Sequence, residues 1–165
     1  MRRLFFTLSL LAALPALAMP SMVTKTEQGV TFTAPEGWKT LVTLSDRGIT
    51  ISRDAFTSFD VHWYDYKAQR SMDQMLDLVL KVTSENLPMG GITETSRVTT
   101  KDGTGRIAFA DFKTMGYVMK MGFGVSMNAS NTKVKAVIFR TSPDAWTELE
   151  APAMIEAVMA GVKVP

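Results

Sequence analysis

Alternation of apolar and polar residues is clearest between Met115 and Asn128. The apolar positions in this run are Met115, Tyr117, Met119, Met121, Phe123, Val125 and Met127. The intervening positions carry mainly glycine and polar residues, and such a period of two is typical of a long β-strand with one face on a core. We therefore expect Met119, Met121, Phe123 and Val125 to be buried. Gly122 and Gly124 would then mark a bend or the close approach of a helix.

Shorter strands are predicted before the first helix. They cover Val30 to Thr33, Lys39 to Leu44, Gly48 to Arg53 and Phe59 to Tyr66, with Pro-, Gly- and Asp-containing turns between them. In the fourth of these strands, Phe59, Val61 and Trp63 share one face and are expected in the core. Residues 19–29 show no clear pattern and predict a flexible lead-in.

A helix is predicted from Ser71 to Leu87. Ser71 and Gln74 have the spacing of a capping box, and Pro88 follows the helix. Its apolar stripe is Met72, Met75, Leu76, Val79, Leu80, Thr83 and Leu87. Strands are then predicted over Ile92 to Thr100, Arg106 to Lys113, the methionine-rich run and Lys133 to Arg140.

A last helix begins at Ser142-Pro143-Asp144, and Pro152 should kink or split it. The predicted order is thus ββββ-α-ββββ-α. This order favours an α+β fold, a mainly antiparallel sheet packed by helices, in a single domain over residues 30–165.

The first eighteen residues have the features of a secretory signal peptide. Arg2 and Arg3 precede an apolar run from Leu4 to Leu17, and Ala16-Leu17-Ala18 fits a cleavage site. We expect residues 1–18 to be removed and the mature chain to be periplasmic or secreted. No second long apolar run follows, so the sequence predicts no transmembrane segment after the signal is removed.

The charge balance and the cysteine content exclude several classes of function. The chain has 18 basic and 16 acidic residues, and loss of Arg2 and Arg3 with the signal leaves 16 of each. This balance argues against binding to nucleic acid. The chain has no cysteine, which excludes thiol catalysis, disulfides and cysteine-based metal sites.

Three stretches resemble the PsbP-like superfamily, named for the extrinsic subunit P of photosystem II. They are the opening Val30 to Trp38 (VTFTAPEGW), the helix from Ser71 to Leu87 between two groups of strands, and the closing Val137 to Val158. The chain is accordingly similar to a small exported bacterial member. The resemblance implies an α/β/α sandwich, and it implies no activity, because a shared fold does not fix function.

Polar and ionisable residues lie on one face of the predicted strand from Phe59 to Tyr66. Asp60, His62, Tyr64 and Tyr66 point away from the expected core and are the candidate binding residues. Asp60 and His62 would lie about 7 Å apart and could serve a metal or acid–base chemistry. His62 is the one histidine, however, so a metal site would lack further ligands. If Tyr64 and Tyr66 are exposed, their rings could contact a partner. If a helix covers them, they are part of the core.

The methionines of the long strand suggest a second candidate site, a copper(I) site, because thioethers bind copper(I). Met119, Met121 and Met127 share their face with Phe123 and Val125, which favours core filling instead. No dinucleotide or serine-hydrolase motif is complete. We therefore expect a non-enzymatic, exported binding or accessory protein, with no cofactor and with another envelope protein as its partner. The alternatives are a protein that binds a small apolar ligand or a metal, and a hydrolase that uses Asp60 and His62.

Overall fold

A large antiparallel sheet lies at the centre of the computed structural model, which describes residues 19–66, 70–87, 90–114 and 116–164. The first strands are β1 (Met22–Glu27), β2 (Val30–Pro35), β3 (Lys39–Thr43), β4 (Gly48–Ser52) and β5 (Ser58–Asp65). Helix α1 (Met72–Asn86) precedes β6 (Gly91–Thr99), β7 (Gly105–Thr114), β8 (Tyr117–Met127) and β9 (Lys133–Thr141). Helices α2 (Pro143–Glu148) and α3 (Ala151–Gly161) follow. The leader at residues 1–18, Pro88 and Met115 lie outside the described residues.

The strand order of the sheet, within those described residues, is β3-β4-β5-β9-β8-β7-β6, and every neighbouring pair is antiparallel. Helix α1 packs on one face, and α2, α3 and the β1–β2 hairpin pack on the other. The predicted α+β class with helices on a mainly antiparallel sheet is confirmed. The order along the chain differs, because a fifth strand precedes α1 and the last helix is two helices.

The N-terminal strand was not predicted, and the expectation of a flexible lead-in over residues 19–29 is wrong. Met22–Glu27 forms β1 and pairs along its whole length with β2. Gln28 and Gly29 make the turn with φ of 50° and 79°, the left-handed geometry of tight hairpin turns. Strand β1 has only two apolar residues, at its first two positions, so alternation gives no signal there. Backbone pairing with β2, and not an apolar face of its own, stabilises β1.

The break in the last helix is confirmed. Helix α2 ends at Glu148, and Glu150 has a left-handed φ of 47° before α3 begins at Ala151. Pro152 lies in the first turn of α3, where its missing N–H removes no helical hydrogen bond. The break turns Trp146 of α2 and Ile155 of α3 toward the same point of the sheet, at Gly122.

The two glycines of β8 mark the closest approach of a helix to the sheet. A Cβ at Gly122 would overlap Cδ1 of Ile155, and a Cβ at Gly124 would overlap Sδ of Met159. The opposite face of β8 holds the expected core: Met121, Phe123 and Val125 are buried against α1. Met119 is only half-buried, so the prediction of burial is wrong for this residue, which lies nearer the β7–β8 turn.

None of the helices in the described part of the chain is long and apolar enough to cross a membrane.

Overpacking at the glycine contact provides the first test. Gly122→Ala should lower the free energy of unfolding by about 1–3 kcal/mol, because the new methyl group meets a filled core. Adding Ile155→Val, which removes the Cδ1 methyl, should recover part of that loss. Gly91→Ala is the matched control, because nothing lies within 4 Å of a Cβ built there. Equal stability of the Gly122 and Gly91 variants in denaturant unfolding would contradict the close approach of α3.

Candidate functional site

A cleft of about 550 Å³ lies between α1 and the strands β5 and β9, on the face of the sheet opposite α3. Its walls are mostly carbon, and polar groups stand at the ends. The lining residues are His62, Tyr64, Asp65, Tyr66, Arg70, Met75, Leu78, Val79, Val82, Thr83, Ala136 and Ile138. A volume of this size is typical of ligand and partner sites.

The cleft exists because α1 is held toward one side of the sheet. The capping box at its start is complete: Gln74 N donates to Ser71 Oγ at 3.2 Å, and Ser71 N donates to Gln74 Oε1 at 2.8 Å. Leu76 is the one fully buried residue of the helix among those described. Acidic residues of α1 then pair with arginines of β6 and β7, away from β5.

These ion pairs fix the lateral position of the helix. Asp77 Oδ1 accepts from Arg97 Nη2 of β6 at 2.8 Å, and Asp73 lies 3.8 Å from Arg97 and 3.4 Å from Arg106 of β7. Glu94 adds a further contact to Arg97 at 2.8 Å. Each exposed pair contributes little alone, but the pairs of Asp73 and Asp77 all connect α1 to the β6 and β7 side of the sheet. The side of the helix that faces β5 borders the cleft.

That side of α1 is apolar. Met75, Leu78, Val79 and Val82 line the cleft, and Val82 is 46% exposed. Leu78 and Val82 were not predicted as site residues, because neither belongs to the stripe through Leu76 and Val79. A signal was present: Leu78 and Val82 are four residues apart, which adds a second apolar row beside the main stripe.

Three of the four predicted binding residues form the opposite wall. The rings of His62 and Tyr64 lie with centroids 6.4 Å apart and planes at 23°. Gly48 is paired with His62 and leaves room for the imidazole, since a Cβ there would lie 3.2 Å from Nδ1. Tyr64 is 49% exposed, and burial of the remainder raises the pKa of its phenol. Tyr66 donates its hydroxyl to Arg70 O at 2.9 Å and closes one end of the cleft.

The structure separates Asp60 from this group. Asp60 Oδ1 accepts from Thr50 Oγ1 at 3.1 Å, and Oδ2 lies 3.7 Å from Arg140 Nη2. Thr50 stands directly opposite Asp60 on β4. Cross-strand neighbours are about 5 Å apart and therefore closer than a residue two positions along the strand. The carboxylate is engaged by these neighbours and does not line the cleft.

Charged residues stand at the mouth of the cleft. Asp65 lies 2.8 Å from Arg47 and 3.5 Å from Lys133. The hydrogen bond from Arg47 holds the pKa of the Asp65 carboxyl below its usual value. This side of the mouth is therefore a charged rim around an apolar interior, the arrangement common at protein interfaces.

The methionines of β8 serve as core. Met121 is buried, and Met119 and Met127 pack against the same cluster beneath α1. In the part of the chain that the structure describes, no three His, Cys, Asp or Glu residues are grouped closely enough to hold a metal ion.

No protein-family model and no curated sequence matches the chain. Solved structures do match in shape. The Saccharomyces cerevisiae Ran-binding protein Mog1p is 11% identical, with 87% of this chain and 96% of that chain covered and a TM-score of 0.65. LpqN of Mycobacterium tuberculosis, involved in cell envelope biogenesis, is 12% identical, with 87% and 90% covered and a TM-score of 0.50.

A Pseudomonas aeruginosa protein of unknown function, PA94, is 14% identical, with 87% of this chain and 98% of that chain covered and a TM-score of 0.50. At such identities the likeness shows the fold alone. The chain therefore shares the α+β fold of these structures, with helices packed on a large antiparallel sheet.

Alanine substitutions on α1 should separate the cleft wall from the core. Leu76→Ala should lower the free energy of unfolding by about 2–5 kcal/mol, because it empties a fully buried position. Val82→Ala should change it by less than about 0.5 kcal/mol, because that side chain packs on little. Both changes in the free energy of unfolding are to be measured by denaturant unfolding of the purified protein. A loss at Val82 as large as that at Leu76 would mean that Val82 is part of the core.

Proposed function

We propose that this chain is an exported, non-enzymatic accessory protein that binds an envelope protein through the cleft beside α1. The observation that carries the proposal is the exposed apolar surface on both lips of the cleft. Val82 stands on the helix side and Tyr64 on the strand side, and they are 46% and 49% exposed. Apolar surface that stays in contact with water beside a concave site is typical of a binding face.

A protein partner fits these lips better than a small molecule does. A ligand held within the cleft would contact Met75, Val79 and Ile138 in the interior. It would leave the outward surfaces of Val82 and Tyr64 in water. An apolar side chain inserted from a partner protein would fill the interior, and the surrounding partner surface would cover the lips. Asp65 and Arg70 would then meet polar groups at the rim.

The fold comparison supports a binding role by analogy only. One structural neighbour is a Ran-binding protein, and another is involved in cell envelope biogenesis. Export rests on the leader, with Arg2 and Arg3, the apolar run and the small residues before Met19. Together these features favour a partner in the envelope.

The hydrolase alternative loses its geometric support. An acid–base pair needs both groups directed at one reacting centre. Asp60 is directed at Thr50 and Arg140, and His62 lines the cleft without it. A small apolar ligand stays a second candidate, because the cleft volume of about 550 Å³ suits one. Added mass of a bound molecule in native mass spectrometry would favour that candidate.

Photo-crosslinking at the lip tests the proposed partner site. A photoreactive residue in place of Val82 should give a covalent adduct with one envelope protein. The control is the same residue in place of Val98, which is similarly exposed at 42% but lies on β6. The adduct should be lost when Leu78→Asp is added. With the purified partner, Leu78→Asp should weaken binding at least about tenfold, since it places a charge in an apolar interior. Equal adducts at both positions would contradict the proposal.

Export is tested with the full chain expressed in a Gram-negative host. The protein recovered from the periplasm should have the intact mass of a chain that begins at Met19. Ala18→Phe should block this processing, because the residue before the cleavage site must be small. Recovery of unprocessed, cytoplasmic protein from the unsubstituted chain would overturn the proposed export.

A further inference from the structure

A second cavity of about 560 Å³ lies on the other face of the sheet, between α3 and the turn at residues 100–104. It is separate from the cleft beside α1, and the proposed partner binding makes no use of it. Its floor is formed by two adjacent residues on neighbouring strands, Ser126 of β8 and Lys135 of β9, which are paired in register. Both are polar, and both are buried.

Lys135 places an ammonium group inside the protein. Its side chain reaches the end of α3, where Nζ donates to Met159 O at 2.9 Å and Val162 O at 3.0 Å. A cation at a helix C-terminus is favoured by the free carbonyls and the helix dipole there. An ammonium has three donors, and the third has no acceptor among the described residues. Burial lowers the pKa of Lys135, and the charge of Asp102 opposes that effect.

Ser126 is the second unusual group. It is 6% exposed, and its Oγ has no hydrogen-bond partner among the described residues. Buried side-chain hydroxyls are normally paired, and an unpaired one costs stability. Ser126 and Lys135 are thus paired residues that line one cavity, and each keeps a donor that is not used within the described residues.

The acids at the rim are already engaged. Asp102 accepts from Thr100 Oγ1 at 2.6 Å and from Thr104 Oγ1 at 2.7 Å, and Glu156 lies 3.5 Å from Lys101. Between rim and floor the wall is carbon. On α3 it consists of Ala153, Ala157, Met159 and Ala160, and Met19 adds to it.

We propose that this cavity binds a small monocarboxylate with an apolar tail. The two carboxylate oxygens would accept from Lys135 Nζ and Ser126 Oγ, and the tail would lie along the alanines of α3. The charge of Asp102 already compensates part of the charge of Lys135, so the site favours a ligand with no more than one negative charge. A dianion such as phosphate would leave one charge uncompensated beside Asp102 and Glu156.

Hexanoate is the probe, titrated into the purified protein and followed by the amide NMR signals of Ser126 and Lys135. We expect saturable shifts, and we expect hexanol, which has the same tail without the charge, to bind at least about tenfold more weakly. Inorganic phosphate should not saturate the same signals. Comparable binding of hexanol and hexanoate, or no saturable shift with hexanoate, would overturn the proposal.

Variants distinguish a ligand site from a structural polar pair. Lys135 caps α3, so its removal is expected to impair folding. Ser126→Ala removes only a hydroxyl without a partner and should leave the melting temperature unchanged or raised while weakening hexanoate about tenfold. Ala157→Leu should fill the cavity and abolish binding. Leu78→Asp, in the cleft beside α1, should leave hexanoate affinity unchanged. Unaltered affinity in both the Ser126 and Ala157 variants would show that the carboxylate does not bind here.

Discussion

The contact between α3 and the two glycines of β8 sets the arrangement of this fold. Because Gly122 and Gly124 carry no side chains, Ile155 and Met159 pack directly on the backbone of the central strand. The helix is thereby held low on the sheet, and its C-terminal carbonyls come within reach of Lys135. Strand β2 then packs on α3, and an apolar core fills most of this face of the sheet.

The opposite face of the sheet is covered by a single helix, α1. A helix with its side chains is about 10–12 Å wide, and strands in a sheet are about 4.8 Å apart, so one helix covers two or three strands. Helix α1 contacts β6, β7 and β8, and the ion pairs of Asp73 and Asp77 with Arg97 and Arg106 keep it there. The β5 and β9 side of this face is therefore left open. The cleft follows from the number of helices and the position of these charges.

The sequence predicts much of this fold because local patterns determine it. Alternation identifies β8 and its buried face, the Ser71–Gln74 capping box identifies the start of α1, and Pro152 identifies the break before α3. The same alternation places His62, Tyr64 and Tyr66 on one face, and the structure puts them in one wall. Strand β1 is missed because its stability comes from pairing with β2, and its own residues carry almost no apolar pattern.

The other features that the sequence did not predict depend on contacts between segments that are distant along the chain. Nothing near α1 in the sequence shows that Arg97 and Arg106 hold the helix away from β5, so the roles of Leu78 and Val82 depend on pairs 20 or more residues apart. The strand from Lys133 to Thr141 reads as apolar on both faces, which hides the one lysine that reaches the end of α3. Asp60 and His62 share a face, yet cross-strand neighbours engage Asp60 first.

Strand β9 explains how one sheet provides two different sites. Its side chains alternate between the faces, so Lys135 lies on the α3 side and Ala136 and Ile138 line the cleft beside α1. The α3 side holds the buried ammonium of Lys135, which donates to carbonyls at the end of α3. A buried charge requires such specific partners. The α1 side offers carbon surface, aromatic rings and a charged rim around the cleft. Such a surface selects what it contacts by shape and desolvation.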